Sequence, residues 1–333
     1  MESRRDFLKK AAVAAAGLTI VPSKTIAGLG HKAPSDTMNI VGIGIGGKGH
    51  PNLVGMKTEN IIGLCDIDWK YAKNCFEEFP DAKRYWDWRK MFDELGDQID
   101  GVMVATPDHT HATIAATALT MGKHVYCQKP LTHSVYESRL LTKLAAKYKV
   151  ATQMGNQGNS SDGVRQLCEW IWNGEIGEVK EVHAWTNRPI WPQGLQRPTE
   201  KQRCPKTMNW DLFIGPAAMR PFHEIYTPWN WRGWWDFGTG ALGDMACHIM
   251  DPLYWALDLK YPTSVIGSST LSNLYSPPHA QIVTYTFPAR PPKGNVKMPE
   301  VKVYWYDGGL MPPRPEELKD GQMMGDENGG IIF

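Results

Sequence analysis

Met38-Asn39-Ile40-Val41-Gly42-Ile43-Gly44-Ile45-Gly46-Gly47-Lys48-Gly49 is the stretch whose reading decides the fold. Met38–Ile45 is apolar and β-branched, the pattern of a buried parallel strand. The glycines behind it fit G-x-G-x-x-G. Gly44 would make the tight turn, Gly46 would let the backbone approach a pyrophosphate, and Gly49 would let the next helix pack on the sheet. Gly47 lies in the same turn. The free N–H groups and dipole at the start of that helix, read at Pro51–Lys57, favour an anion. Ile61–Cys65 reads as the next strand, and Asp66 follows it about 20 residues after the glycines. A carboxylate there accepts from ribose hydroxyls and repels a 2′-phosphate, so NAD is favoured over NADP.

Working outward, strands alternate with helices. Lys70–Phe79 reads as a helix, Gly101–Ala105 as a strand and Ala112–Met121 as a helix. His124–Cys127 is a strand, and Ser134 to Glu137 is a capping box opening a helix to about Tyr148. Val150–Met154 closes the series. The rhythm predicts an α/β fold, a parallel doubly wound sheet over roughly residues 38–155. Beyond it, Gly163–Asn173 and Leu242–Leu257 read as helices. Strands are expected at Val179–Asn187, Ser264–Thr270, Gln281–Phe287 and Val301–Tyr306, with a Pro/Trp/Arg-rich loop from Arg188 to Gly238. Few crossover helices separate these strands, so a C-terminal α+β domain with an open, mostly antiparallel sheet is expected. The chain stops at Gly329-Gly330-Ile331-Ile332-Phe333 on what reads as the opening of a strand, which implies a truncated second domain. The expected division is 1–31 leader, 32–155 nucleotide domain and 156–333 substrate and oligomerisation domain.

Composition narrows the function classes. The 36 basic and 35 acidic residues leave a net charge of +1, so no basic field exists for nucleic acid. No apolar run approaches the ~20 residues of a membrane span. The 333 residues suit two domains. Ser3-Arg4-Arg5-Asp6-Phe7-Leu8-Lys9-Lys10 precedes the apolar stretch Ala11–Val21, the pattern of a twin-arginine export signal. It predicts a periplasmic protein that engages the twin-arginine machinery. Six cysteines without a CxxC pair give no zinc spacing. His109 and His111 lack further ligands nearby, so no metal is expected. The 14 Trp outnumber the 9 Phe and 12 Tyr, and cluster in the second half, where they either fill a core or stack on sugar rings.

Three features carry chemistry. Lys129, in Cys127-Gln128-Lys129-Pro130, stands at the carboxyl end of a strand, where open α/β sheets bind ligands. Asp244 and His248, spaced i and i+4, share a helix face, so the carboxylate could orient the ring for general base work. Thr106-Pro107 follows another strand.

Together these motifs resemble the Gfo/Idh/MocA oxidoreductases, and the leader and Trp231–Gly240 resemble their exported branch. The usual Glu-Lys-Pro is here Gln128-Lys129-Pro130. The resemblance implies a catalytic lysine at Lys129, and a paired Asp244 and His248. It implies bound NAD contacted by Gly44, Gly46, Gly47, Gly49, Asp66, Thr106, Pro107, His109 and Lys129. Asn156, Trp231, Arg232 and Trp235 are substrate candidates. The implied reaction takes a hydride from a carbon bearing a hydroxyl in a sugar, polyol or glycoside, with a homo-oligomer expected. Two alternatives stand beside it: a redox-assisted glycosidase working by oxidation and elimination, and a non-catalytic sugar or nucleotide binder.

Overall fold

The computed structural model describes residues 36–333. The twin-arginine-like leader at 1–31 lies outside the described residues. Six strands form the first sheet: β1 (Asn39–Ile43), β2 (Asn60–Cys65), β3 (Lys83–Tyr85), β4 (Gly101–Val104), β5 (His124–Gln128) and β6 (Thr152–Gly155). Their order is β3-β2-β1-β4-β5-β6, and every pair is parallel. The order reverses between β1 and β4, so the crevice for a ligand opens at their carboxyl ends.

Helices α1 (Gly49–Gly55), α2 (Lys73–Glu78), α3 (Trp88–Leu95), α4 (Asp108–Thr120) and α5 (Val135–Tyr148) connect the strands. Alternate strand residues feed two cores. Val41, Ile43, Val102 and Val104 pack with Met91, Phe92, Ile114 and Leu119 on one face. Ile40, Leu64 and Met103 pack with Leu53 and Phe76 on the other. The capping box expected at Ser134 and Glu137 is present, with both of its hydrogen bonds. Strand β3 and helix α3 have no counterpart in the sequence reading. Each is short, and the apolar residues of α3 are confined to Trp88, Met91, Phe92 and Leu95.

The second half contributes α6 (Asp162–Asn173), β7 (Glu181–Thr186), α7 (Trp210–Ile214), α8 (Gly240–Ile249) and α9 (Asp251–Ala256). Strands β8 (Ser264–Ser269), β9 (Gln281–Phe287), β10 (Arg290–Lys293), β11 (Val296–Met298), β12 (Val301–Tyr306) and β13 (Gly329–Ile332) follow. The sheet runs β13-β7-β12-β9-β8, with β10 and β11 as a separate hairpin. Only β7 and β12 pair parallel, so the sheet is mostly antiparallel. Val182, Ala184, Val283, Phe287, Val303 and Trp305 pack one face against Cys168 and Ile171 of α6 and Leu253 of α9.

Two expectations are corrected. The helix read at Leu242–Leu257 is two helices that part at Met250, because Pro252 in the first turn of α9 has no N–H to give. The Arg188–Gly238 loop contains α7 and two 3₁₀ turns, Glu224–Tyr226 and Asn230–Gly233. Much of the tryptophan excess is core: Trp234 and Trp305 are fully buried.

Candidate active site

The glycine turn is built as the sequence demands. Gly44 has φ +77°, and a Cβ there would meet the Thr106 backbone nitrogen at 2.6 Å. A Cβ on Gly49 would lie 2.1 Å from the Gly44 carbonyl oxygen, so α1 approaches the end of β1 only because residue 49 lacks a side chain. Gly46 and Gly47 lie against the Tyr71 ring. Asp66 is buried, and its two oxygens accept from the backbone amides of Gly46 and Asp68, each at 2.9 Å. Burial pushes its carboxyl up to about 6 despite these bonds. Asp66 thus ties the glycine turn to the end of β2.

A cavity of about 690 Å³ opens from this turn across the carboxyl ends of the strands to the second half of the chain. Gly44, Gly46, Gly47, Lys48, Asp66, Thr106, Pro107 and Lys129 line one side; Trp231, Arg232, Asp244 and His248 line the other. A backbone cradle that a Cβ would fill, a helix N-terminus and a carboxylate at the end of β2 fit a dinucleotide such as NAD.

Part of the cavity wall comes from residues 207–216. Asp68 and Met208 form an antiparallel bridge, Trp69 N–H donates to Thr207 O at 3.0 Å, and Asn209 N–H donates to Ile67 O at 2.8 Å. This clasp fastens the second half of the chain directly behind Asp66. His109 anchors it. Its Nε2 lies 2.9 Å from the Phe213 carbonyl, and its ring packs between Phe213 and Phe237. Burial lowers its pKa to about 4, so the neutral ring donates from Nε2. His109 does not line the cavity: the first turn of α4 directs it toward the aromatic cluster, away from the cofactor side expected for it.

Lys129 follows β5 directly. Its Nζ donates to Asp244 Oδ1 at 2.9 Å and to the Asp244 carbonyl at 2.8 Å, linking the two halves of the chain. Asp244 Oδ1 also accepts from Arg232 Nε at 3.0 Å. All three side chains are nearly buried. Burial pushes the Asp244 carboxyl up, but Lys129 and Arg232 outweigh it and hold it below the ordinary range. The Arg232 guanidinium lies 4.0 Å from the Trp229 ring and 4.2 Å from the Trp231 ring. The turn carrying Lys129 is held by His111, whose ring nitrogens lie 2.9 and 2.7 Å from the carbonyls of Pro130 and Thr106.

His248, one helical turn past Asp244, lines the cavity. No hydrogen bond joins the two; the Asp244 carboxylate is bonded to Lys129 and Arg232. The expected orientation of the ring by Asp244 is therefore not what this geometry provides. Burial first, then Lys129, lowers the His248 pKa to about 4, leaving a neutral imidazole.

Of the remaining candidates, Asn156 is buried with an unpartnered Oδ1, and Trp235 is half-exposed; neither lines the cavity. Trp231 lines it with its ring beside Arg232. Several residues missing from the sequence reading do line it: Lys48, Tyr71, Arg188, Trp191 and Trp229. Asp108 was also missed. It is buried at the start of α4, accepts from Thr239 Oγ1 at 3.0 Å and is pushed up to about 8 by burial, with Asp244 adding to the rise. Its place directly after Thr106-Pro107 was the available signal. Among the described residues no group of His, Cys, Asp and Glu could hold a metal, and the six cysteines are unpaired.

Two family models match. Residues 37–156 match the oxidoreductase family's NAD-binding Rossmann fold, and residues 175–269 its C-terminal alpha/beta domain. Together they cover well over half of the chain, which belongs to the Gfo/Idh/MocA oxidoreductase family. Glucose-6-phosphate 3-dehydrogenase of Bacillus subtilis is 28% identical over 74% of this chain and 61% of its own length. Inositol 2-dehydrogenase of Salmonella typhimurium is 28% identical over 44% of each chain. Myo-inositol dehydrogenase from Lactobacillus casei, solved with NAD(H) and myo-inositol, superposes with a TM-score of 0.55 at 18% identity, over 82% of this chain and 68% of that one. The chain thus spans less than two thirds of these curated relatives.

Proposed function

We propose that this protein is an NAD-dependent oxidoreductase that oxidises a hydroxyl of a sugar, polyol or glycoside. The observation that carries the reading is the Lys129–Asp244 contact across the two halves of the chain, which brings Lys129 to the same glycine-lined cavity as His248, whose pKa burial and Lys129 lower to about 4. When bound, NAD would supply the acceptor for the hydride that leaves the carbon bearing the hydroxyl. Neutral His248 takes the hydroxyl proton. Lys129 donates a hydrogen bond to the same oxygen and stabilises its developing negative charge, held in place by Asp244. Lys48, beside the glycine turn at the start of α1, would hold the pyrophosphate. The family match, together with relatives named for oxidation of glucose 6-phosphate and inositol, supports this reaction class. Residues 1–31 support export through the twin-arginine route, with the nucleotide already bound.

The test is NADH formation from a panel of sugars, inositols and glycosides. Lys129→Ala and His248→Ala should each reduce turnover by orders of magnitude while NAD still binds. Unchanged turnover in both variants would overturn the assignment.

A further inference from the structure

We propose that the substrate part of the cavity receives a sugar bearing a negatively charged group, a carboxylate, phosphate or sulfate, and that Arg188 is its receptor. The inference rests on the oxidoreductase reading above and names the substrate class of that site.

Four carboxylates line the cavity. Asp66 is taken by the Gly46 and Asp68 amides, and Asp68 accepts from the amides of Lys70 and Tyr71 at 3.1 and 3.2 Å. Asp211 lies toward Arg89, whose guanidinium is itself paired with Asp87. These three belong to the glycine-turn end. The substrate end retains only Asp244, against Lys129, Arg232 and Arg188. Lys129 and Arg232 share the Asp244 carboxylate, and their surplus positive charge serves the oxygen that turns negative during oxidation. Arg188 is a further cation that this chemistry does not need.

Arg188 follows β7 and lines the cavity with Trp191, whose ring lies 5.9 Å from the Arg232 guanidinium. Its guanidinium donates only to neutral amide oxygens, those of Asn187 and, at 3.5 Å, Asn328. Among the described residues no carboxylate pairs with it. A guanidinium whose partners are neutral has no counter-charge, and its planar fork matches carboxylate, phosphate and sulfate oxygens. Trp191 and Trp229, whose rings meet edge to face at 6.4 Å, line the same cavity, and an aromatic wall suits the apolar face of a sugar ring.

The test is equilibrium binding to the NAD-loaded protein, read by tryptophan fluorescence and calorimetry. The probes are matched pairs: glucose with glucuronate, glucose 6-phosphate and glucose 6-sulfate; galactose with galacturonate; inositol with inositol phosphate. At least one anionic member should bind about ten-fold or more tightly than its neutral partner, with a preference that shrinks as salt rises. Which member does so separates carboxylate from phosphate and sulfate. Arg188→Gln should bring the ratio close to one, and Arg188→Lys should restore part of it. If no anionic probe outbinds its neutral partner, or if Arg188→Gln leaves the preference intact, the inference is wrong. NADH formation is scored separately in the same samples, so an Arg188-dependent preference without NADH faults the oxidoreductase reading alone.

Discussion

Asp244→Asn removes one formal charge and almost no volume, which makes it the sharpest probe of the site. The carboxylate lies 2.9 Å from Lys129 Nζ and 3.0 Å from Arg232 Nε. At an effective dielectric of about 20, Coulomb's law gives each contact about 5–6 kcal/mol. The several kcal/mol spent on desolvating the carboxylate is recovered on substitution. Two buried cations are then left facing each other, and the net loss is expected to be about 3–5 kcal/mol. Urea unfolding should show a lower midpoint with an unchanged slope. Because Lys129 is also displaced from the reacting oxygen, kcat/KM should fall by about two to three orders of magnitude. The pH dependence has a definite sign. A carboxyl held below its ordinary range contributes stability above about pH 4, and that contribution disappears as pH falls through its folded value. The variant should lack this acid-sensitive component. In the double variant Lys129→Met/Asp244→Asn only one of the two cations remains, so its loss should be smaller than the sum of the single losses. Additivity within about 0.5 kcal/mol, or a single variant as stable and active as the parent, would refute the shared-carboxylate account.

Two further outcomes follow from the geometry. Gly49→Ala drives a methyl into the Gly44 carbonyl and should weaken NAD binding by about a hundred-fold in a fluorescence titration, whereas Gly55→Ala, with open space around it, should be neutral or stabilising. Asp108, pushed up to about 8, binds a proton on folding, so its contribution is complete below about pH 4 and is lost as pH rises to 8. Asp108→Asn should abolish a decline of about 1.4 kcal/mol per pH unit, measured as urea midpoints at pH 5 and pH 8.

The nucleotide half was legible because its signals are local. A β-branched run, three glycines and a capping box each act within a few residues, and the six-stranded parallel sheet follows from their alternation. Lys129, Asp244 and His248 could be singled out for the same reason, since strand ends and i, i+4 spacing are properties of the chain itself. Their connections were not legible. Asp244 serves Lys129 and Arg232 in place of His248, because Lys129 reaches it from 115 residues away. His109 has the sequence context of a cofactor contact, but a clasp more than a hundred residues downstream claims its ring. Arg188 sits in a Pro/Trp/Arg-rich segment with no periodicity, where only tertiary structure distinguishes a cavity wall from a loop. Split helices and short strands were missed because one proline or three residues carry too little pattern.

The bridge between Asp68 and Met208 makes the seam, and not either half, the unit that works. A nucleotide seated beside Asp66 would be walled in part by chain that arrives some 140 residues later, so its hold on the site would depend on both halves. Substitutions at Thr207 to Asn209 that loosen the clasp are expected to speed the exchange of a nucleotide seated there, without touching a single reacting group.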